Sequence, residues 1–316
     1  MRESLALDLP TQQEVISNWQ SAEFPLVSIA CITYNHAKFI ETTLRGFLVQ
    51  ATLFPFEIVV HDDASTDGTT EILREYHAIY PEIIRLVVQE ENQYSKGQRA
   101  LVLIYPELRG RYVAVCEGDD YWADPQKLQK QVTYLEKNPE CVISGHDARI
   151  VDEEGNLLQK SKLPKNHKRD YTAWELQAGS AFILTLSWVF RRVLKDDEAK
   201  AERSVVKNGD TFLLSLLGQY GASHFHDDIE PAVYRKHPDG VWSMVKRETR
   251  QQAQVTTFLM ISNYYRRAGQ SEMADVWWEK FCRGAASSCS TTNFVRELLI
   301  RVSLIRRIRA VLMRDR

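Results

Sequence analysis

At 316 residues, with 44% hydrophobic and 26% charged side chains, the chain has the balance of a folded globular protein, which excludes a disordered or fibrous one. Its 40 Lys and Arg against 42 Asp and Glu leave a net charge of −2, which excludes nucleic-acid binding driven by global positive charge. No apolar run in it is long enough to cross a bilayer, and the opening segment carries Glu3 and Asp8, so cytosolic residence is the expectation. The five cysteines lack metal-ligand spacing and are read as reduced thiols: Cys31, Cys116 and Cys141 in strand-like runs, Cys282 and Cys289 in the helical tail.

From Leu26 to Gly145 short aliphatic runs alternate with longer amphipathic stretches, the pattern of βα units. Strands are predicted at Leu26–Thr33, Glu57–Asp62, Ile84–Val88, Tyr112–Cys116 and Cys141–Gly145. Several are apolar on successive residues, as a mainly parallel sheet covered on both faces requires. Helices are predicted at Ala37–Gln50, Thr69–Tyr80, Gln98–Leu108 and Pro125–Lys137, the last with Asp124 as N-cap and Pro125 at the first helical position. Beyond Gly145 the alternation ends. Ala148–Asp152 enters a hairpin turn at residues 153–156, Phe182–Arg191 reads as a strand, Gly209–Tyr220 as a helix, and Ser223–His226 and Ala232–Arg235 as edge strands. The chain is helical in pattern from Arg247. Residues 294–316 place Val295, Leu298, Val302 and Ile305 on one face, with Arg296, Arg301 and Arg306 mostly elsewhere. That basic amphipathic helix suits peripheral contact with the inner face of a membrane, a partner protein, or its own domain.

Ligands of open α/β sheets bind beyond the carboxyl ends of the strands, so polar clusters there are the candidates. Thr33-Tyr34-Asn35 follows the first strand and offers a ring on which a base can stack; a capping role for Asn35 is the plainer reading. His61-Asp62-Asp63-Ala64-Ser65-Thr66-Asp67-Gly68 follows the second, where Asp63 can accept from a nucleobase while Ser65 or Asp67 caps a helix. Glu117-Gly118-Asp119-Asp120-Tyr121-Trp122 follows the fourth. Three acidic groups within four residues repel one another unless a cation is present, and Mg2+ or Mn2+ would relieve them. Lys96 and Arg99, after the third strand, stand on the phosphate side, or are simply solvated.

Val27-Ser28-Ile29-Ala30-Cys31-Ile32-Thr33-Tyr34-Asn35, the Asp62-Asp63-Ala64-Ser65 turn and the Glu117-to-Trp122 block, in this order and spacing, resemble the nucleotide-binding half of family 2 glycosyltransferases. The resemblance is strong over residues 25–145, weaker to residue 245 and absent beyond. It implies an α/β GT-A fold with a mainly parallel central sheet, here with a C-terminal helical extension. The expected division is an N-terminal extension (1–24), a nucleotide-sugar half (25–145), an acceptor half (146–246) and a helical region (247–316). The implied activity is inverting transfer of one sugar from a nucleotide donor, most often a UDP-sugar, to a glycan or glycolipid acceptor, in bacterial cell-surface glycan assembly. The resemblance makes Tyr34 and Asp63 base contacts, Asp119 a ribose or sugar contact, and Asp120 the ligand of Mn2+ or Mg2+. Glu117 stands where the family often has Asp.

Inversion needs one base for the acceptor hydroxyl. Asn208-Gly209-Asp210-Thr211-Phe212-Leu213 resembles the family's helix-opening element and makes Asp210 the base, although a plain N-cap is also consistent. The donor-rich stretch Tyr234–Ser243 has the make-up of a lid, with His237 completing the metal shell and Arg235 holding the diphosphate, as in related enzymes. The Gln-x-x-Arg-Trp signature of processive synthases is missing. Competing readings are a non-catalytic nucleotide-sugar sensor and a dinucleotide oxidoreductase, but no Gly-x-Gly-x-x-Gly turn follows the first strand.

Overall fold

The computed structural model describes residues 9–20, 24–195, 198–238, 240 and 246–288. The expected basic helix at 294–316, Cys289, and Asp239, Trp242 and Ser243 of the expected lid lie outside them.

The strands are β1 (Val27–Thr33), β2 (Phe56–Asp62), β3 (Ile84–Val88), β4 (Tyr112–Glu117), β5 (Cys141–His146), β6 (Ala148–Val151), β7 (Leu157–Gln159), β8 (Val189–Arg191), β9 (Ala222–His226) and β10 (Ala232–Arg235). Among the described residues seven of them form one sheet in the order β3-β2-β1-β4-β8-β5-β9. Its pairs are parallel except where β8 runs against β4 and β5. The apolar runs have the cause inferred from sequence: Val27, Ile29, Ala30 and Cys31 of β1 and Ile58, Val59 and Val60 of β2 have no exposed surface. Each of the valine and isoleucine side chains contributes roughly 1.5–3 kcal/mol of transfer free energy. A second sheet, β10-β6-β7, joins β6 in parallel to β10 and antiparallel to β7 through the predicted turn, where Gly155 takes φ 85° and Asn156 N donates to Asp152 Oδ1 at 2.7 Å.

The helices are α1 (Gln12–Ser17), α2 (Ile40–Leu48), α3 (Thr69–Ile79), α4 (Ala100–Ile104), α5 (Lys127–Lys137), α6 (Ala173–Gln177), α7 (Lys200–Val205), α8 (Gly209–Leu217), α9 (Arg247–Arg267) and α10 (Ser271–Ser288). Four expectations change. Helix α2 starts at Ile40 rather than Ala37: residues 37–39 form a turn in which Phe39 N and Ile40 N both donate to His36 O, and the amides of His36 and Ala37 are held by Thr69 Oγ1 and Asp67 Oδ2 of the next loop. The helix expected at Gln98–Leu108 is the short α4 followed by a 3-10 turn at Tyr105–Glu107, since Pro106 has no amide to continue it. Helix α5 starts at Lys127, and Asp124 Oδ1 accepts from Gln126 N at 2.7 Å in the turn ahead of it. Of the strand expected at Phe182–Arg191 only β8 remains. Ser187 Oγ donates to Leu184 O at 2.7 Å and Trp188 Nε1 to Ile183 O at 3.0 Å, folding the first part into a turn.

The chain divides into two compact units, Met1–Val205 with Gly209–Met244 and Val206–Asn208 with Val245–Arg316. Both sheets belong to the first. In the second, α9 and α10 pack through Val255, Leu259, Phe281 and Ala285.

Candidate active site

The carboxyl ends of β1, β2 and β4 lie side by side, and their loops are stitched together. Asp63 N donates to Thr33 O at 3.0 Å and Gly118 N to Ile32 O at 2.8 Å. Asn35 is not a helix cap. Held at φ 55°, it donates its amide to Ser65 Oγ at 2.8 Å and accepts from Thr66 N at 2.8 Å, tying the loop after β1 to that after β2. This leaves the Tyr34 ring 44% exposed at the rim. Asp63 is buried, and its two oxygens accept from Gln93 N at 2.7 Å and Tyr94 N at 3.0 Å. It therefore holds the segment whose Tyr94 ring lies 5.1 Å beneath the Arg99 guanidinium.

The acidic turn after β4 is built to bring a distant strand alongside. Tyr121 and Val233 exchange backbone hydrogen bonds of 3.1 and 2.8 Å, so β10 runs past the turn. Arg235 N then donates to Asp120 Oδ1 at 2.8 Å, and the Arg235 guanidinium donates to Asp119 O at 2.6 Å while lying over the Phe39 and Tyr121 rings. Two residues on, His237 Nε2 sits 3.0 Å from Asp119 Oδ2. His36 Nε2, from the loop after β1, lies 3.9 Å from that same oxygen. His36, Asp119 and His237 thus present ligand atoms all within 4.8 Å of one another. Sequence reasoning paired His237 with Asp120; the carboxylate that meets His237 in the structure is Asp119, and Asp120 is buried beneath it at 3% exposure.

The three acids sit in different fields. Burial and the neighbouring Asp119 push Glu117 up to about 7. Burial, with Asp119 and Glu117, holds Asp120 well above the ordinary carboxylate range. Burial works against ionising Asp119 too, but the His237 hydrogen bond and the charge of His36 outweigh it and hold its pKa low. The turn thus concentrates its negative charge on the one carboxylate that faces the imidazoles. Gly118 is required by close approach: a Cβ there would stand 2.6 Å from Thr33 Oγ1 and 3.0 Å from His36 Nδ1. Both of those polar atoms are buried without a partner among the described residues, so the cluster leaves polar groups beside it unsatisfied.

Asp210 lies in the first turn of α8; its side chain is open to solvent, yet enough protein surrounds it for partial desolvation to raise its pKa. Glu117 is acted on by the charges of both Asp210 and Lys162, so all three share one field. Lys162 was missed. Its ammonium lies 3.5 Å over the Tyr234 ring, and burial lowers its pKa although Asp120 and Glu117 favour the charge. Nothing in the stretch Lys160-Ser161-Lys162 marks one lysine above the other. The contribution of His36 was also missed, although it stands beside the Thr33-Tyr34-Asn35 run.

The model of glycosyl transferase family 2 matches residues 28–197. The chain belongs to that family. An uncharacterized protein of Mycobacterium tuberculosis is 37% identical over 217 residues, 68% of this chain and 60% of the relative. Chondroitin synthase of Escherichia coli is 28% identical over 183 residues, 53% of this chain and 26% of the synthase. The chain therefore spans less than two thirds of the length of either relative. Among solved structures, S. aureus TarS 1-349 in complex with UDP-GlcNAc superposes with a TM-score of 0.60 at 18% identity, covering 85% of this chain and 74% of TarS. This likeness shows the GT-A fold, with its mostly parallel sheet. The family match ends before Asp210, Arg235 and His237, whose placement rests on the geometry above.

Proposed function

We propose that this family 2 member transfers one sugar from a nucleoside-diphosphate donor, UDP-linked, to an acceptor hydroxyl with inversion, Asp210 being the base. The observation that carries the reading is the convergence of Asp119 and His237, delivered by the Tyr121–Val233 bridge; Asp210 is assigned as base from its place in the helix-opening element. The residues present fit a divalent ion: one ionised carboxylate and imidazole nitrogens, beside unpartnered Thr33 Oγ1 and His36 Nδ1. Asp119 and His237 would hold it, and when bound it supplies charge neutralisation for the departing diphosphate. Tyr34 stacks the base at the rim, and the ring-stacked Arg99 faces the phosphates. Arg235, expected from sequence at the diphosphate, instead takes a positioning role in this reading, its backbone and guanidinium donors keeping Asp120 and Asp119 in place. Asp210 accepts the proton of the acceptor hydroxyl as its oxygen attacks the anomeric carbon opposite the leaving group; a single displacement inverts that carbon. UDP as carrier is supported by the UDP-GlcNAc complex of TarS, and a glycan acceptor by the chondroitin synthase relative. No helix among the described residues is long and apolar enough to cross a membrane. Assembly of bacterial cell-surface glycan or glycolipid, on the cytoplasmic side, is the setting that accommodates such an acceptor.

Calorimetry with UDP, GDP and dTDP, with and without Mn2+, tests the donor site. Mn2+-dependent UDP binding that is lost in Asp119→Asn is expected, followed by turnover of a UDP-sugar with inverted product configuration by NMR. If UDP binds with metal and no UDP-sugar turns over, the protein is a nucleotide-sugar sensor. If no nucleotide binds folded protein, the donor site itself is disproved.

A further inference from the structure

We infer that His36 is a further protein ligand of the ion and that it couples ion binding to nucleoside binding through the loop after β1. This rests on the donor-site reading above and gives His36, which that reading places only beside the ion, a ligand's role.

The geometry suits it. Ligand atoms about 2.1 Å from an octahedral ion lie about 3.0 Å apart when adjacent and about 4.2 Å apart when opposite. His237 Nε2 and His36 Nε2 stand 3.0 and 3.9 Å from Asp119 Oδ2, within that span, and the three ligand atoms all lie within 4.8 Å of one another, so closing them on one ion takes at most a small side-chain shift. Phe39 fixes both imidazoles, its ring centroid 4.9 Å from that of His237 and 6.4 Å from that of His36, and the two histidine rings stand perpendicular at 6.1 Å. Two imidazoles and one carboxylate favour manganese-class ions over magnesium, which prefers oxygen ligands.

The coupling follows from what His36 is attached to. Its own amide bonds Thr69 Oγ1 at 2.9 Å, the Asn35 and Ala37 amides bond Ser65 Oγ at 2.8 Å and Asp67 Oδ2 at 2.9 Å, and Asn35 Oδ1 accepts from Thr66 N at 2.8 Å. Four hydrogen bonds thus make residues 35–37 and 65–69 one frame, with Tyr34 next to it and Asp63 at its far end. An ion bound to the His36 side chain restrains this frame from the diphosphate side. The ordering cost of placing a nucleoside against it is then already met in part. A metal that only bridged the diphosphate would leave the affinity for uridine, which has no phosphate, unchanged.

The test uses the full chain. Pulsed EPR of bound Mn2+ counts coordinated imidazole nitrogens, and calorimetry measures uridine with and without Mn2+. The expectation is two imidazoles in the wild type and one in His36→Gln, with Mn2+ binding weakened on the order of 10–100-fold, the scale seen when support of a metal ligand is lost. Mn2+ should raise uridine affinity at least fivefold, uridine should raise Mn2+ affinity by the same factor, and His36→Gln should abolish both. Thr69→Val, which removes the tie to the frame and keeps the ligand, should retain two imidazoles and lose the coupling. Melting curves identify any variant that fails to fold, and the other variant then carries the test. One imidazole in the wild type, unchanged by His36→Gln, overturns the proposal while Mn2+-dependent UDP binding leaves the donor site standing. Two imidazoles with uridine indifferent to Mn2+ also overturn it. If wild type binds neither Mn2+ nor UDP, the donor-site reading has failed with it.

Discussion

Two acid-rich strand ends stand on the same rim, separated only by β1, and they use their carboxylates in opposite ways. After β2, Asp62 accepts from Ser65 N and from the hydroxyls of Ser65 and Thr70, Asp63 from two amides of the loop after β3, and Asp67 from Thr69 and Ala37. Those acids hold loops. After β4, Asp119 keeps its charge and, with burial, suppresses the ionisation of Glu117 and Asp120, and the groups that meet the turn arrive from β10 and the loop after β1. Counting acids does not separate a binding site from a brace; the supply of local amides and hydroxyls does.

Asp119→Asn and Asp63→Asn put that contrast to its hardest test. On the ion-site reading Asp119→Asn abolishes Mn2+-dependent UDP binding and lowers turnover by more than about 10^3-fold, because several kcal/mol of charge neutralisation is lost. Asp63→Asn keeps the Mn2+ dependence and weakens the loop after β3 instead. Initial rates and calorimetry on both variants decide, and the reverse pattern breaks the comparison. Next in size, Asp210→Asn should cost kcat about 10^2 to 10^3-fold, within the range of a general base, and leave UDP affinity within about twofold. Because desolvation raises the pKa of Asp210 and the base must be ionised, wild-type kcat should rise with pH along a limb displaced upward from ordinary carboxylate titration. A profile flat down to the ordinary carboxylate range removes Asp210 from the role.

How much of this was readable in the sequence follows from which forces are local. The strands β1, β2 and β4 were legible because burial on both faces demands continuous apolar runs, and the rim acids because the chain alternates βα. The mainly parallel sheet follows from the same alternation. Which of Asp119 and Asp120 faces His237 was not legible: adjacent residues on a turn point to different sides, and the choice is made by the pairing of Tyr121 with Val233, far apart in sequence. The capping role expected of Asn35 failed because its partner, Thr66, lies on another loop. Lys162 gave no signal, since a lysine in a charged hairpin reads as solvated until its ammonium is found over Tyr234.

Smaller effects sharpen the contrast. Gly118→Ala should lower Tm by about 4–8 °C, overpacking at roughly 1–3 kcal/mol, since its Cβ would meet Thr33 Oγ1 at 2.6 Å and Thr33 Cβ at 2.8 Å. An alanine variant as stable as wild type would mean that the two strand ends are less tightly joined than the hydrogen bond from Gly118 N to Ile32 O implies.

The last prediction concerns Glu117 and is one of sign. Its folded pKa of about 7 lies above the 4.5 of a free glutamate, so between these values the native state holds a proton that the unfolded chain has released. The stabilising contribution is therefore complete below the lower value and disappears as pH rises through the upper one. Without divalent ion, Glu117→Gln, which cannot ionise, should melt with the wild type at pH 4 and above it by several degrees at pH 8. The carboxylates after β2 have donors in place when ionised, so Asp63→Asn should melt below wild type at pH 8, the opposite sign. Added Mn2+ should narrow the Glu117→Gln gap by offsetting the repulsion that creates it. A gap that does not depend on pH would mean that Glu117 is not held in its proton-retaining environment, and the two strand ends would then differ in composition but not in electrostatic kind.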